Sequence, residues 1–181
     1  MSKMLLCWFL STMTMFAADR VTEAYLHEVD LVENDVLSLA EAMPAGTYDF
    51  TPAEFAAGKG AFAGVRTFGE QVRHLATMIY MTAAIVMEQR SPYGPGTNDN
   101  GPDDIRTKAQ VVEYLKGSFA YARKAIGTLN EKNHLDAVGT YFGAMTKAAV
   151  ASGIAYHSYN HYGQMVVYAR MNGVAPPASK P

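Results

Sequence analysis

Beyond residue 19 this sequence falls into four long stretches with apolar residues at helical spacing, separated by turn-forming runs and mostly opened by a side chain able to cap a helix. The first runs from about Asp19 to Met43, with Val29, Val32, Val36, Leu39 and Ala40 on one stripe, and stops before Pro44-Ala45-Gly46. Thr67-Phe68-Gly69-Glu70 has the form of a capping box, in which the threonine hydroxyl accepts from the backbone of Glu70 and Glu70 reaches back, so a second helix starts here and runs to about Gln89. Ser91-Pro92-Tyr93-Gly94-Pro95-Gly96, extended through Asn98 to Asp104, breaks the pattern. Thr107-Lys108-Ala109-Gln110 repeats the box and opens a third helix to about Leu129. The periodicity lapses between Asn133 and Met145, where Gly139 and Gly143 flank Thr140-Tyr141-Phe142. Thr146 then caps a fourth helix that ends at Asn172-Gly173, ahead of Pro176-Pro177.

Amphipathic helices of this kind bury their stripes against one another, and a chain of 181 residues, 49% of them apolar, can enclose one sizeable core. No second domain and no internal repeat is visible. No apolar run reaches the roughly 20 residues needed to cross a bilayer. A formal net charge of −2 without a basic block gives little to neutralise phosphates, which argues against nucleic acid as a partner. Methionine and tyrosine, at 11 each, read as adaptable core packing and amphipathic ring placement.

The first 18 residues differ from the rest. Lys3 precedes an apolar segment from Met4 to Phe16, and Ala17-Ala18 supply small residues before Asp19. This is the layout of a secretory signal, cleaved after Ala17 or Ala18. A buried first helix or amphipathic lead-in is the other reading, since Ser11, Thr12 and Thr14 dilute the run. Cleavage would remove Cys7, the only cysteine, leaving the mature chain with neither a thiol nucleophile nor a disulfide. The mature domain then spans 19–181, and the protein is expected to be exported to the periplasm or beyond; without cleavage it stays cytoplasmic.

The chemistry-bearing residues are histidines. His157 and His161 stand four apart on the fourth helix, so both imidazoles leave the same face, and their neighbours on that face, Val150, Ile154, Met165 and Tyr168, turn it inward. Buried neutral imidazoles need partners, and a shared metal ion supplies them. His74 on the second helix offers a third. Three imidazoles from two helices make a site with coordination positions open to water or substrate, as in catalytic rather than structural centres. Zinc and nickel are the expected ions, because imidazole suits both. Met78, Met165 and Tyr168 are expected to line the pocket.

Other polar residues have ordinary explanations. Glu70, one turn before His74, is accounted for by the capping box, with a general-base or ligand-orienting role as the alternative. Asn160 and Gln164 follow the two paired histidines by three residues and could orient ligands, although plain hydrogen bonds explain them. His27 and His134 have no histidine at ligand spacing and read as surface or loop residues. Tyr48, Asp49 and Phe50 read as pins of the first loop against the bundle.

Five segments together carry a family resemblance: Thr47-Tyr48-Asp49-Phe50-Thr51-Pro52; Arg66-Thr67-Phe68-Gly69-Glu70-Gln71-Val72-Arg73-His74; Phe142-Gly143-Ala144-Met145-Thr146; His157-Ser158-Tyr159-Asn160-His161-Tyr162-Gly163-Gln164; and Tyr168 through Pro177. In order and spacing they resemble the DinB superfamily. The resemblance implies an all-α four-helix bundle of up-down-down-up type in which His74, His157 and His161 match the metal triad. It also implies a range of chemistry: metal-dependent transferases and an isomerase using low-molecular-weight thiols, and hydrolases.

The expected function is therefore that of a metal-dependent enzyme in which a divalent ion activates water or a thiol toward a small-molecule substrate, as hydrolase or thiol transferase. The alternative is a non-enzymatic metal- or ligand-binding bundle of the cell envelope. A homodimer is the assembly left open, and no catalytic acid or base can be assigned from the sequence.

Overall fold

A computed structural model of the chain describes residues 19–55 and 62–179, so the signal-like segment 1–18 and Cys7 lie outside the described residues. Four helices dominate: α1 (Arg20–Ala42), α2 (Phe68–Val86), α3 (Lys108–Ile126) and α4 (Lys147–Met171). Each begins where a side chain can satisfy the orphan N–H groups of a first turn. Asp19 accepts from Val21 N, Thr67 and Thr107 form complete capping boxes with Glu70 and Gln110, and Thr146 accepts from Ala149 N. The second helix stops three residues before the expected Gln89 because Glu88 turns to φ 54°, letting Gln89 N–H reach back to Ala84 O, a Schellman-type closure.

Pairwise contacts fix the directions. Asp30 and Glu33 of α1 meet Arg123 of α3, while Glu41 meets Lys116, so α1 and α3 run antiparallel. Thr77 and Tyr80 of α2 meet Tyr114 and Tyr121 of α3 in increasing order, so these two are parallel. Gln71 near the start of α2 bonds Gln164 late in α4, and Glu88 after its end bonds Lys147 at the start of α4, so α2 and α4 are antiparallel. The bundle is thus all-α, up-down-down-up, with α1 and α2 on opposite corners.

Phe68, Leu75 and Ile79 of α2, Leu39 of α1, Leu115 and Phe119 of α3, and Ile154 and Met165 of α4 fill the core with almost no exposure. The first loop is pinned as expected. Tyr48 donates its hydroxyl to Ala40 O at 2.6 Å, its carbonyl accepts from Gly69 N, and Phe50 packs edge-on against Tyr168. A Cβ at Gly69 would stand 3.2 Å from Tyr48, so the glycine lets the loop backbone lie against the start of α2.

The segment where helical periodicity lapses is a β-hairpin, β1 (Ala137–Thr140) paired antiparallel with β2 (Gly143–Thr146). Only Val138 in it is buried, so there is no period-two apolar pattern to read beforehand. Among the described residues no helix is long and apolar enough to cross a membrane.

Candidate metal centre

Because α2 and α4 run antiparallel, the second turn of α2 faces the middle of α4. His74, His157 and His161 meet there. One nitrogen from each lies within 4.8 Å of the other two, and the ring centroids are 4.6 to 5.6 Å apart. Two nitrogens bound to one ion at about 2.1 Å are separated by at most about 4.2 Å, so ring movements of under about 1 Å close the set onto a single cation. His74 and His161 are buried, and His157 is half-buried.

The rings are oriented by neutral acceptors. His74 Nδ1 lies 2.8 Å from the backbone carbonyl of Asp99, and His161 Nδ1 lies 2.6 Å from Gln71 Oε1. Since a carbonyl oxygen can only accept, both Nδ1 atoms carry the proton, and both Nε2 atoms keep a free lone pair. Gln71 is itself held by Gln164, whose Oε1 accepts from Gln71 Nε2 at 3.0 Å. His157 Nε2 is, among the described residues, the buried side-chain nitrogen or oxygen that finds no partner. A buried imidazole nitrogen left bare costs on the order of 1–3 kcal/mol, and a cation at the centre of the cluster would remove that cost. The donor set and its tautomers thus fit a divalent metal ion.

Electrostatics agree with ligand duty. Burial is the main force lowering all three imidazole pKa values, with His161 brought to about 3. Neighbouring rings and the positive charge of Arg66 act in the same direction on His157 and His161, and Arg66 also acts on His74. At neutral pH the rings are uncharged and their lone pairs are available.

The loop that supports His74 is bent hard. Asn98 and Asp99 both adopt positive φ, 56° and 59°, between Gly96 and Gly101 at 63° and 73°. Neither glycine tolerates a side chain: a Cβ at Gly96 would fall 1.8 Å from Gly101 O, and one at Gly101 would fall 2.3 Å from Thr77 Oγ1. Successive non-glycine residues in this region mark a conformation that the surrounding structure enforces.

The remaining sequence candidates sort cleanly. Glu70 is engaged in its capping box, with Oε2 accepting from Thr67 N at 2.9 Å. Gln164 holds Gln71 and so acts on His161 at one remove, whereas the Asn160 side chain is exposed and its backbone carbonyl receives a long bond from the Gln164 amide. His27 is exposed on α1, and His134 binds Asn130 O in the loop after α3. Met165 and Tyr168 are buried on α4, and Met78 is half-buried one turn after His74.

Three supporting groups escaped the sequence reading: Gln71, the carbonyl of Asp99, and Arg66. Gln71 did leave a signal, as an amide on the stripe that also carries Phe68 and Leu75. Nothing in Asn98-Asp99-Asn100 distinguishes a ligand support from an ordinary polar turn.

The model of the DinB superfamily matches residues 28–165, and the chain belongs to that superfamily. The comparison with curated proteins gives no match. Among solved structures, the chain is similar to a DinB-like protein from Bacillus cereus ATCC 10987, at 16% identity and TM-score 0.65, over 86% of this chain and 95% of that one. It is also similar to a DinB-family structure from Exiguobacterium sibiricum 255-15, at 19% identity and TM-score 0.60, over 87% and 95%. At these identities the likeness speaks for the fold alone.

Proposed function

We propose that this protein is an exported metal-dependent enzyme in which His74, His157 and His161 hold one divalent ion, zinc or nickel, and that it acts on a small molecule as hydrolase or thiol transferase. The observation that carries the reading is the bare Nε2 of His157 beside two rings whose tautomers leave their own Nε2 atoms free. An ion held by three imidazoles supplies Lewis acidity toward a water or thiol at an open position. The chain's own contribution is orientation: Gln71 and the Asp99 carbonyl set two of the rings, and the packing of α2 against α4 buries His74 and His161.

A hydrolytic reaction also needs a group to move protons. Glu70 is committed elsewhere. Asp99 is the acidic residue whose charge reaches His74, and its exposed carboxylate is the acid–base candidate. Metal analysis of protein purified without added metal, followed by ester-hydrolysis and thiol-transfer assays, tests the reading. Asp99→Asn keeps the supporting carbonyl, so metal content should hold while the rate falls about 100-fold or more, the usual worth of a positioned acid or base. The same assays on His161→Ala should show both metal and rate lost, with His134→Ala changing neither. Metal lost without loss of rate would take the ion out of the mechanism and favour a metal-binding module.

A further inference from the structure

Arg66 is half-buried at the entry to α2, and its guanidinium is gripped along one side: Nε donates to Asn100 Oδ1 at 2.7 Å and Nη2 to Asn98 O at 2.9 Å. Both acceptors are neutral. Among the described residues no carboxylate stands within ion-pair distance of it. Arg123 provides the contrast, since Asp30 and Glu33 both meet it on the α1–α3 side. A guanidinium that is partly desolvated and has no counter-charge is costly to keep, and a rigid fork presenting its free end is the usual receptor for two oxygens of an oxyanion.

The position of the fork matters as much as its charge. Three consecutive loop residues divide the work: Asn98 and Asn100 hold Arg66, and Asp99 between them holds His74. The loop achieves this through the two positive-φ residues Asn98 and Asp99, locked between Gly96 and Gly101. From the other side, Tyr168 of α4 donates its hydroxyl to Arg66 O. The guanidinium is therefore held by the loop that orients His74, and the Arg66 backbone by α4, the helix that carries His157 and His161. Its unoccupied edge is Nη1 with the outer hydrogen of Nη2.

We infer that Arg66 is an anion-binding subsite beside the histidine cluster, so that the substrate carries a carboxylate or phosphate group. The word substrate rests on the metal-dependent reading above; the binding of an oxyanion at Arg66 does not. The role is one of recognition and positioning: the fork would fix the charged end of a small molecule while its reactive part lies at the three rings.

The test uses the full wild-type chain, metal-free, and follows arginine Nε–H resonances by NMR during titration with inorganic phosphate and, separately, acetate. The Arg66 signal should respond and saturate at a concentration at least tenfold lower than the signal of exposed Arg90 requires. Whichever of the two anions saturates it sooner identifies the carboxylate or phosphate source. Equal responses at Arg66 and Arg90 with both anions would overturn the inference. The cobalt(II)-loaded protein separates the two readings. If the Arg66 titration holds but cobalt does not bind, the metal reading fails and the subsite stands. If cobalt binds but Arg66 behaves like Arg90, the reverse follows. Read instead at the ring signals of His74, a saturable response to phosphate or acetate should be present in the wild type and absent in Arg66→Gln, with cobalt affinity unchanged within about threefold, a result that mere loop damage at His74 would not give.

Discussion

Two seams of the bundle run antiparallel and use opposite polar chemistry. Along the α1–α3 seam the polar contacts are charged and wet: Arg123 meets Asp30 and Glu33, Lys116 meets Glu41, and Lys108 donates to the carbonyls of Glu41 and Met43 that close α1. Along the α2–α4 seam the central contacts are neutral and run inward, from exposed Gln164 to the buried Gln71 and His161, with buried His74 set by a carbonyl. Charges at the first seam are screened by water and cost little to place. At the second, imidazoles whose burial disfavours the charged form turn their lone pairs toward a space that suits a cation. One seam joins two helices through charge, whereas the other gathers three imidazoles that could hold a metal ion.

The sharpest way to break this comparison is to remove a ligand. His157→Ala should weaken zinc or nickel binding by more than about 100-fold, beyond the 10–100-fold typical of supporting groups, in a competition titration with a chelator. Stability of the metal-free protein should hardly fall, because the lost nitrogen has no partner in the fold. Unchanged affinity would mean that the three rings do not act together. A step smaller is Gln71→Ala, which leaves the Nδ1 proton of His161 without its acceptor. Metal affinity should drop roughly 10–100-fold. Metal-free stability should fall by about 1–3 kcal/mol, the cost of a buried donor left unpaired. Opposite orderings of metal and stability effects in these two variants distinguish a ligand from its support.

The seams should also part in their response to acid. Burial holds the folded-state pKa of all three rings down, that of His161 at about 3, against an unfolded value near 6.5. Between those limits the unfolded chain binds more protons than the folded one, so stability is fully present above about pH 6.5 and is lost as the pH falls toward 3. Urea unfolding of metal-free protein at pH 7.5 and pH 5 should show this loss. His161→Ala should lose distinctly less over the same interval, and an identical pH response in variant and wild type would remove the ring as its source.

Much of this was legible in the sequence because capping and periodicity are local. Thr67 with Glu70, Thr107 with Gln110, Asp19 and Thr146 each announce a helix start from neighbours in the chain, and the structure uses all of them. The pairing of His157 with His161 follows from helical geometry alone. Their meeting with His74 depends on helix order and direction, which no local pattern encodes; there the family resemblance supplied what periodicity lacked. Gln71 was half-visible as a polar residue on an apolar stripe. The Asp99 carbonyl was invisible, because a backbone group carries no identity and its direction comes from a strained loop. The hairpin escaped for a related reason: Val138 is its one buried residue, so burial imposes no alternation on its sequence.

The smallest expected effect belongs to the charged seam. Arg123→Met removes both ion pairs to Asp30 and Glu33 while keeping an unbranched chain able to cover the same apolar surface. Exposed pairs are worth about 0.2–1 kcal/mol each, and the entropy of freeing a long side chain offsets part of that. Urea unfolding should therefore show a loss of no more than about 1 kcal/mol, shrinking further in 0.5 M salt as the remaining charges are screened. Metal affinity should not move, since α1 and α3 supply none of the three rings. A larger, salt-insensitive loss would show that Glu33, the more buried partner, is held by Arg123 as a true interior pair. The charged seam would then resemble the neutral one in depth, and the division of labour between them would have to be drawn by chemistry rather than by exposure to water.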